Sequence, residues 1–421
     1  MRMSKLLVKA FTLAAGVSLI VGAGRLRPDG AMASRLEAQQ KAPVPVYQVD
    51  ATWPKMPLPN KWMMQAVPVM ATDYEDHVWV ISRSGDLRPD EGMAGTNPPR
   101  GDCCIAAPEI LEFDTQGNLL QSWGGPGHHP GWPRNNQIHT VVVDKEHNVW
   151  ISGAGRGNSI QKFTRDGKFL WDFGHRAPLP AAGEANANLP QNNQQTDVLN
   201  NGVFIFTLDE PAREIYLVEN KRVLVYGYDG SFKRGWGGRG QPLSEITNTP
   251  TPPYDWKGGP PPDQAEFAPA LHCVHISTDG LVYVCERGMN RIQVFTKQGK
   301  YVREFLVAPN TPSRGAICNP EKFGMCGSTY NLTLSHDPGQ QYVLIADGTN
   351  HRIWIHDRQT GALVGQVGSP GRMAGQFFWI DAIATDSLGN IYTGEVNSGK
   401  RAQKFVLKNG DGVRRLRPLN Y

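Results

Sequence analysis

Apolar residues alternate with polar ones in short runs through most of the chain, and the runs recur in a fixed order. An apolar strand ending in an aromatic residue and a turn appears six times, at 111–117 (LEFDTQG), 161–167 (QKFTRDG), 224–230 (LVYGYDG), 293–299 (QVFTKQG), 354–361 (WIHDRQTG) and 404–410 (KFVLKNG). Upstream of each lies a second strand, at 77–82, 148–153, 214–219, 281–286, 342–347 and 390–395, and before that a shorter apolar run such as 139–144 or 381–386. A fourth strand follows the turn at 119–125, 169–174, 232–238, 301–307 and 363–368. The five intervals from Gly117 to Gly410 average about 59 residues, which suits a four-stranded blade with its loops. Helical spacing is absent from any long stretch. The pattern predicts an all-β fold, a six-bladed β-propeller; a β-sandwich or a seven-bladed ring is the alternative. The sixth copy lacks a fourth strand, and Tyr47–Asp50 is predicted to supply it from the N-terminus, closing the ring and removing its open edges. Inserts rich in Pro, Asn and Gly at 84–107, 175–200, 239–266 and 308–328 are expected to cover one face.

The chain ends change the picture outside this ring. Arg2, Lys5 and Lys9 precede an apolar run at 10–24 that is short for a membrane span, and Ala31-Met32-Ala33 resembles a cleavage site. Residues 1–33 are therefore predicted to be a secretory signal peptide, 34–45 a tether, 46–412 the propeller and 413–421 a basic tail. The mature protein is expected to be exported, periplasmic or secreted, without a transmembrane span. Six cysteines fit that compartment. Cys273 and Cys285 lie symmetrically about the turn at Asp279, opposite one another on antiparallel strands, and are predicted to form a disulfide. Cys318 and Cys326 are predicted to close a short loop. Cys103 and Cys104 are adjacent and could form a vicinal ring, pair elsewhere or bind metal. Net charge is +4, and Arg414, Arg415 and Arg417 form its one basic cluster, read as a solvated tail. No nucleic-acid module is visible, and a monomer is expected.

Equivalent positions in a propeller form rings about its axis. Five residues before the one closing the first strand stand His139 in blade two, His272 in blade four and Asp381 in blade six. These are alternate blades, so the side chains are expected at threefold positions around the channel. Two imidazoles and a carboxylate suit a divalent metal, Zn or Fe(II), with a structural Ca a further candidate; a hydrated polar ring is the bland reading. Tyr330 holds the same offset in blade five, as a general acid or base or as a packed phenol. Arg83 and Arg287 each follow a second strand, where a guanidinium can grip a carboxylate or bridge to a neighbour such as Glu286. His128, His129, His175 and His275 are read as surface or core.

GTNHRIWIHD at 348–357 and RGMNRIQVF at 287–295 resemble NHL repeats, and within that class roughly residues 60–408 resemble the peptidyl-α-hydroxyglycine α-amidating lyase family. The resemblance implies a six-bladed propeller that cleaves a C–N bond of a C-terminal α-hydroxyglycine, with three zinc histidines, arginines and a tyrosine. It places His139 and His272 on two of the zinc ligands and Arg83 and Arg287 on site arginines. The third zinc histidine falls on Asp381, and the tyrosine after the second strand of blade three is missing, because 218–223 (VENKRV) is too short there. The expectation is a metal-dependent, lyase-like or hydrolytic enzyme acting on a small-molecule or peptide substrate that bears a carboxylate. The alternative is a non-catalytic scaffold gripping a protein or glycan through its top loops.

Overall fold

Blades one, two and six start from the same local chemistry. The first strand of blade two ends at Asp144, whose Oδ1 accepts the backbone N–H groups of Glu146 and Asn148 and so closes the hairpin turn, while its Oδ2 accepts the indole N–H of Trp150 at 2.8 Å. Asp73 treats Glu75, His77 and Trp79 in the same way, and Asp386 treats Leu388, Asn390 and the phenol of Tyr392. In blades four and five a serine hydroxyl, Ser277 or Ser335, accepts the N–H that opens the second strand. One carboxylate thus fixes the turn and the aromatic that packs behind it.

The computed structural model describes residues 41–134, 136–179, 194, 198–268, 270–318 and 325–415. Six four-stranded antiparallel sheets form the ring of a six-bladed β-propeller. Blade one is Met70–Thr72, Val78–Ile81, Ile110–Phe113 and Leu119–Trp123; blade two is Ile138–Val143, Val149–Gly153, Ile160–Phe163 and Phe169–Asp172. Blade three runs from Ile205–Asp209 to Phe232–Trp236, blade four from Leu271–Ile276 to Tyr301–Leu306, and blade five from Asn331–Leu334 to Leu363–Val367. Blade six is Ile380–Thr385, Ile391–Glu395 and Arg401–Leu407, and its outermost strand is Tyr47–Asp50, paired from Tyr47 opposite Leu407 to Asp50 opposite Lys404. The predicted closure of the ring by the N-terminal strand is what the chain does. Val, Ile and aromatic side chains of the inner strands fill the spaces between blades.

By this topology the first and third strands begin, and the second and fourth end, on one face. All four long inserts leave from that face, as expected. Two of them are stitched together: Tyr254 N–H donates to Gly315 O at 3.1 Å, and Ile317 N–H to Tyr254 O at 2.8 Å. All three cysteine pairs are joined, Cys273–Cys285 between directly opposed residues, Cys318–Cys326 within the last insert, and Cys103–Cys104 as the vicinal ring.

The predicted signal peptide and most of the tether lie outside the described residues. The tether's last residues pack on the ring: the Ala42 N–H donates to Gln341 Oε1, and the Tyr342 phenol donates to the Ala42 carbonyl. The run read as a solvated tail is anchored where it begins. Arg414 Nη2 donates to Asp76 Oδ2 at 2.7 Å and Arg415 N–H to Ser387 O at 2.7 Å; Arg417 lies outside the described residues. No helix among the described residues is long and apolar enough to cross a membrane.

Candidate functional site

His139, His272 and Asp381 each occupy the second position of an innermost strand. At each the pairing with the second strand skips a residue: between Ile138 and Thr140, Leu271 and Cys273, and Ile380 and Ala382. A bulge of this kind leaves one side chain out of the alternation and re-aims it. In blades one, three and five the innermost strand begins only after the equivalent position, and in blade one the bridge between Ala66 and Arg83 marks a similar one-residue slip. The three side chains converge, with one potential ligand atom from each within 4.8 Å of the others. The two imidazole centroids are 5.4 Å apart.

The three are 3%, 5% and 5% exposed, so their charge states follow from burial. Burial, joined by the Arg83 charge, holds His139 well below the usual imidazole range; burial, joined by Arg287, brings His272 down to about 3. Both rings are neutral at physiological pH and offer a lone pair. His272 Nδ1–H donates to the carbonyl of Tyr330 at 2.8 Å, which puts the lone pair on Nε2. Burial pushes Asp381 up to about 7, against the pull of Arg287 and Arg83. His139 Nδ1 and Asp381 Oδ1 are buried without a hydrogen-bond partner among the described residues. His272 Nδ1 stands 3.7 Å from Asp381 Oδ1, and the donor set of two neutral imidazoles and one carboxylate is of a kind that suits a divalent cation.

Arg83 sits two residues, and Arg287 one residue, beyond the end of its second strand. Arg83 N–H donates to Ala66 O, and Arg287 N–H to Ala270 O, the residue two before His272. Ala270 is left-handed, with φ 74°, as is Trp379 two before Asp381, with φ 68°. Residues other than glycine are rarely held there, and such backbone collects at functional sites. Arg83 Nε donates to Ile138 O at 2.9 Å, next to His139. Arg287 Nε donates to Cys326 O at 3.0 Å and its Nη2 to the Tyr330 phenol at 2.7 Å, with the guanidinium 3.9 Å from the ring centroid. The alternative partner Glu286 is taken by Arg291 and by the Ala268 N–H. Gly327, left-handed at φ +87°, lies against the Arg287 side chain where a Cβ would collide.

Tyr330 is buried, and burial pushes its phenol up to about 12. Its hydroxyl lies between Arg287 and Thr349, and its carbonyl orients His272. Gly348 lies against this ring, with a built Cβ 2.9 Å from Tyr330 Cζ. Of the other histidines, His128 packs on Trp123 and Trp132, His129 stacks on Phe169, and His175 reaches Gly230 O, all away from the triad.

Two site residues escaped the sequence reading. Phe204 stands five before Asp209, the same offset in blade three, and its ring lies 5.1 Å from His139 and 5.8 Å from His272. The offset rule reaches it; its apolar character hid it among candidate ligands. Arg314 comes from the fourth insert, whose position no periodicity reveals. Its N–H donates to Arg287 O at 3.0 Å, and its charge reaches His272. His272, Phe204, Arg287 and Arg314 line a cavity of about 520 Å³ between blades three and four.

No protein-family model matches the chain, and no protein of curated function matches its sequence. Among solved structures it is similar to a streptogramin B lyase (13% identity, TM-score 0.43, covering 86% of this chain and 98% of that one). It is similar also to virginiamycin B lyase from Staphylococcus aureus with quinupristin (11%, TM-score 0.44, 86% and 88%). A third is an auxiliary nutrient binding protein from Bacteroides thetaiotaomicron (11%, TM-score 0.49, 86% and 76%). No residue role passes across such distances.

Proposed function

We propose that the protein is a metal-dependent, lyase-like enzyme of an exported compartment that acts on a small carboxylate-bearing substrate at the mouth of its propeller. The observation that carries this reading is the convergence of His139, His272 and Asp381, each released by a bulge on an alternate blade. These three residues would hold the ion, Zn or Fe(II) by their donor set. When bound, such an ion polarises a hydroxyl or carbonyl oxygen.

The chain's own residues do the rest. Tyr330 fixes the His272 tautomer through its carbonyl and steadies Arg287 through its phenol. With a phenol pushed up to about 12, it keeps its proton at neutral pH and serves as a positioning group or a proton donor, not as a resting base. Among the described residues Arg83 commits Nε alone to the protein, which leaves its two terminal nitrogens for an anion. The resemblance of the motifs around His139, His272, Arg83 and Arg287 to amidating lyases supports lyase chemistry; aspartate in place of the third histidine and the missing tyrosine favour a different substrate. A scaffold role is the competing reading, and the buried orphaned atoms at the axis disfavour it.

The test is calorimetric titration of chelator-treated protein with Zn²⁺ and Fe²⁺, alongside Asp381→Ala and His139→Ala. One ion per chain, lost in both variants, supports the reading; no uptake by the wild type overturns it.

A further inference from the structure

The cavity beside the triad has two kinds of wall. One is cationic. Arg287 and Arg314 share a corner, because the Arg314 and Gly315 N–H groups donate to Arg287 O and Gly288 O at 3.0 and 2.9 Å. Ser313 Oγ donates to the same Gly288 carbonyl, and the Tyr254 phenol to Ser313 Oγ at 2.9 Å. Two like charges are thus strapped to one scaffold. Burial and the Arg287 charge both hold Arg314 below the usual guanidinium range, against the pull of Tyr330. Glu219 also lines the cavity, but its side chain is fully buried against Arg222 and accepts the Asn201 N–H. The other wall is Phe204, which is 36% exposed although it lies on two imidazoles. An exposed aromatic face beside paired guanidiniums, in a cavity of about 520 Å³, has the size and polarity of a small-ligand site.

We propose that this cavity binds an aromatic carboxylate, with the carboxylate on Arg287 and Arg314 and the ring against Phe204. The proposal rests on reading the mouth as a site for a small anionic substrate, and it adds the substrate's class and the residues that select it. Arg314 supplies the second guanidinium of the anion clamp. Phe204 discriminates planar rings from aliphatic chains by an edge or offset contact.

Benzoate, acetate and benzyl alcohol serve as probes, titrated by calorimetry into the full chain both metal-loaded and chelator-treated. Benzoate is expected to bind about 2- to 10-fold more tightly than acetate, which lacks the ring, and about 10-fold or more tightly than benzyl alcohol, which lacks the carboxylate. Arg314→Gln should weaken benzoate and acetate alike by about 10-fold or more, and Phe204→Ala should weaken benzoate alone by about 2- to 10-fold. Both side chains are partly or largely exposed, and matched thermal midpoints will confirm folding. Equal affinity for benzoate and acetate, an unaffected Arg314→Gln variant, or no binding of any probe would overturn the proposal. A benzoate preference that persists in chelated protein sustains the cavity even where the metal reading falls. Stoichiometric metal without that preference keeps the metal reading and removes this one.

Discussion

His139, His272 and Asp381 show how a residue's meaning depends on one residue of register. Their common offset was legible in the sequence because repeats impose it. The bulges that turn them to the axis were not, because a bulge costs one residue of register and leaves no mark on composition. Arg83 and Arg287 were legible as strand-end residues, yet their supports differ. Arg83 braces Ile138 O beside His139, whereas Arg287 leans on Cys326 O and Tyr330. Arg83→Ala should therefore weaken metal binding more than benzoate binding. Arg287→Ala should cost about 10- to 150-fold in carboxylate affinity, the loss of a charge-assisted contact, and Lys should rescue little of it because it lacks the planar fork. Titration with benzoate and with Zn²⁺ reads both outcomes; rescue by Lys would show that a point charge suffices. Gly327→Ala should act like Arg287→Ala through collision with that side chain, leaving metal content unchanged.

At the scale of the element, a buried Glu–Arg pair recurs where the second strand ends and the third begins. Glu219 pairs with Arg222 and accepts the Asn201 N–H; Glu286 pairs with Arg291 and accepts the Ala268 N–H; Glu395 pairs with Arg401 and accepts the Phe378 N–H. Each carboxylate holds the lead-in to its own blade's ring residue: Phe204, His272 or Asp381. The Asn290-Arg291 step within 287–295 is thus a clamp, with Asn290 left-handed at φ 53° and Arg291 reaching back to Glu286. Burial, outweighing Arg401, raises Glu395 from 4.5 to about 7. The unfolded carboxyl ionises first, so between those values the folded state holds the extra proton and stability falls as pH rises toward 7. Glu395→Gln removes this titration. Its stability relative to wild type should improve between pH 5 and pH 8, by on the order of a few kcal/mol, in urea unfolding. A gap that stays flat with pH would show that the carboxyl is ionised throughout.

Across the whole molecule, the ring and its closing strand were legible because alternation and turn chemistry repeat six times. The inserts were legible as covers for one face but not as binding walls, since the bridge between Tyr254 and the 315–317 segment joins stretches without periodicity. Nor could the sequence show Arg414 returning to Asp76. Deleting residues through Asp50 should expose the 401–407 strand as an open edge, lowering the thermal midpoint and promoting association, as read by calorimetry and light scattering. A monomer of unchanged midpoint would deny the closing strand its role. Replacing Cys318 and Cys326 with serine should loosen the carbonyl that holds Arg287, and so reduce carboxylate affinity more than metal content.

Under the proposed function, His139, His272 and Asp381 from three alternate blades hold one cation at the axis. Elemental analysis of protein purified without added metal, compared with Asp381→Ala prepared in parallel, tests it most directly. Close to one equivalent of Zn or Fe is expected in the wild type and almost none in the variant. Equal metal in the two, or none in the wild type even after incubation with either ion, would contradict it.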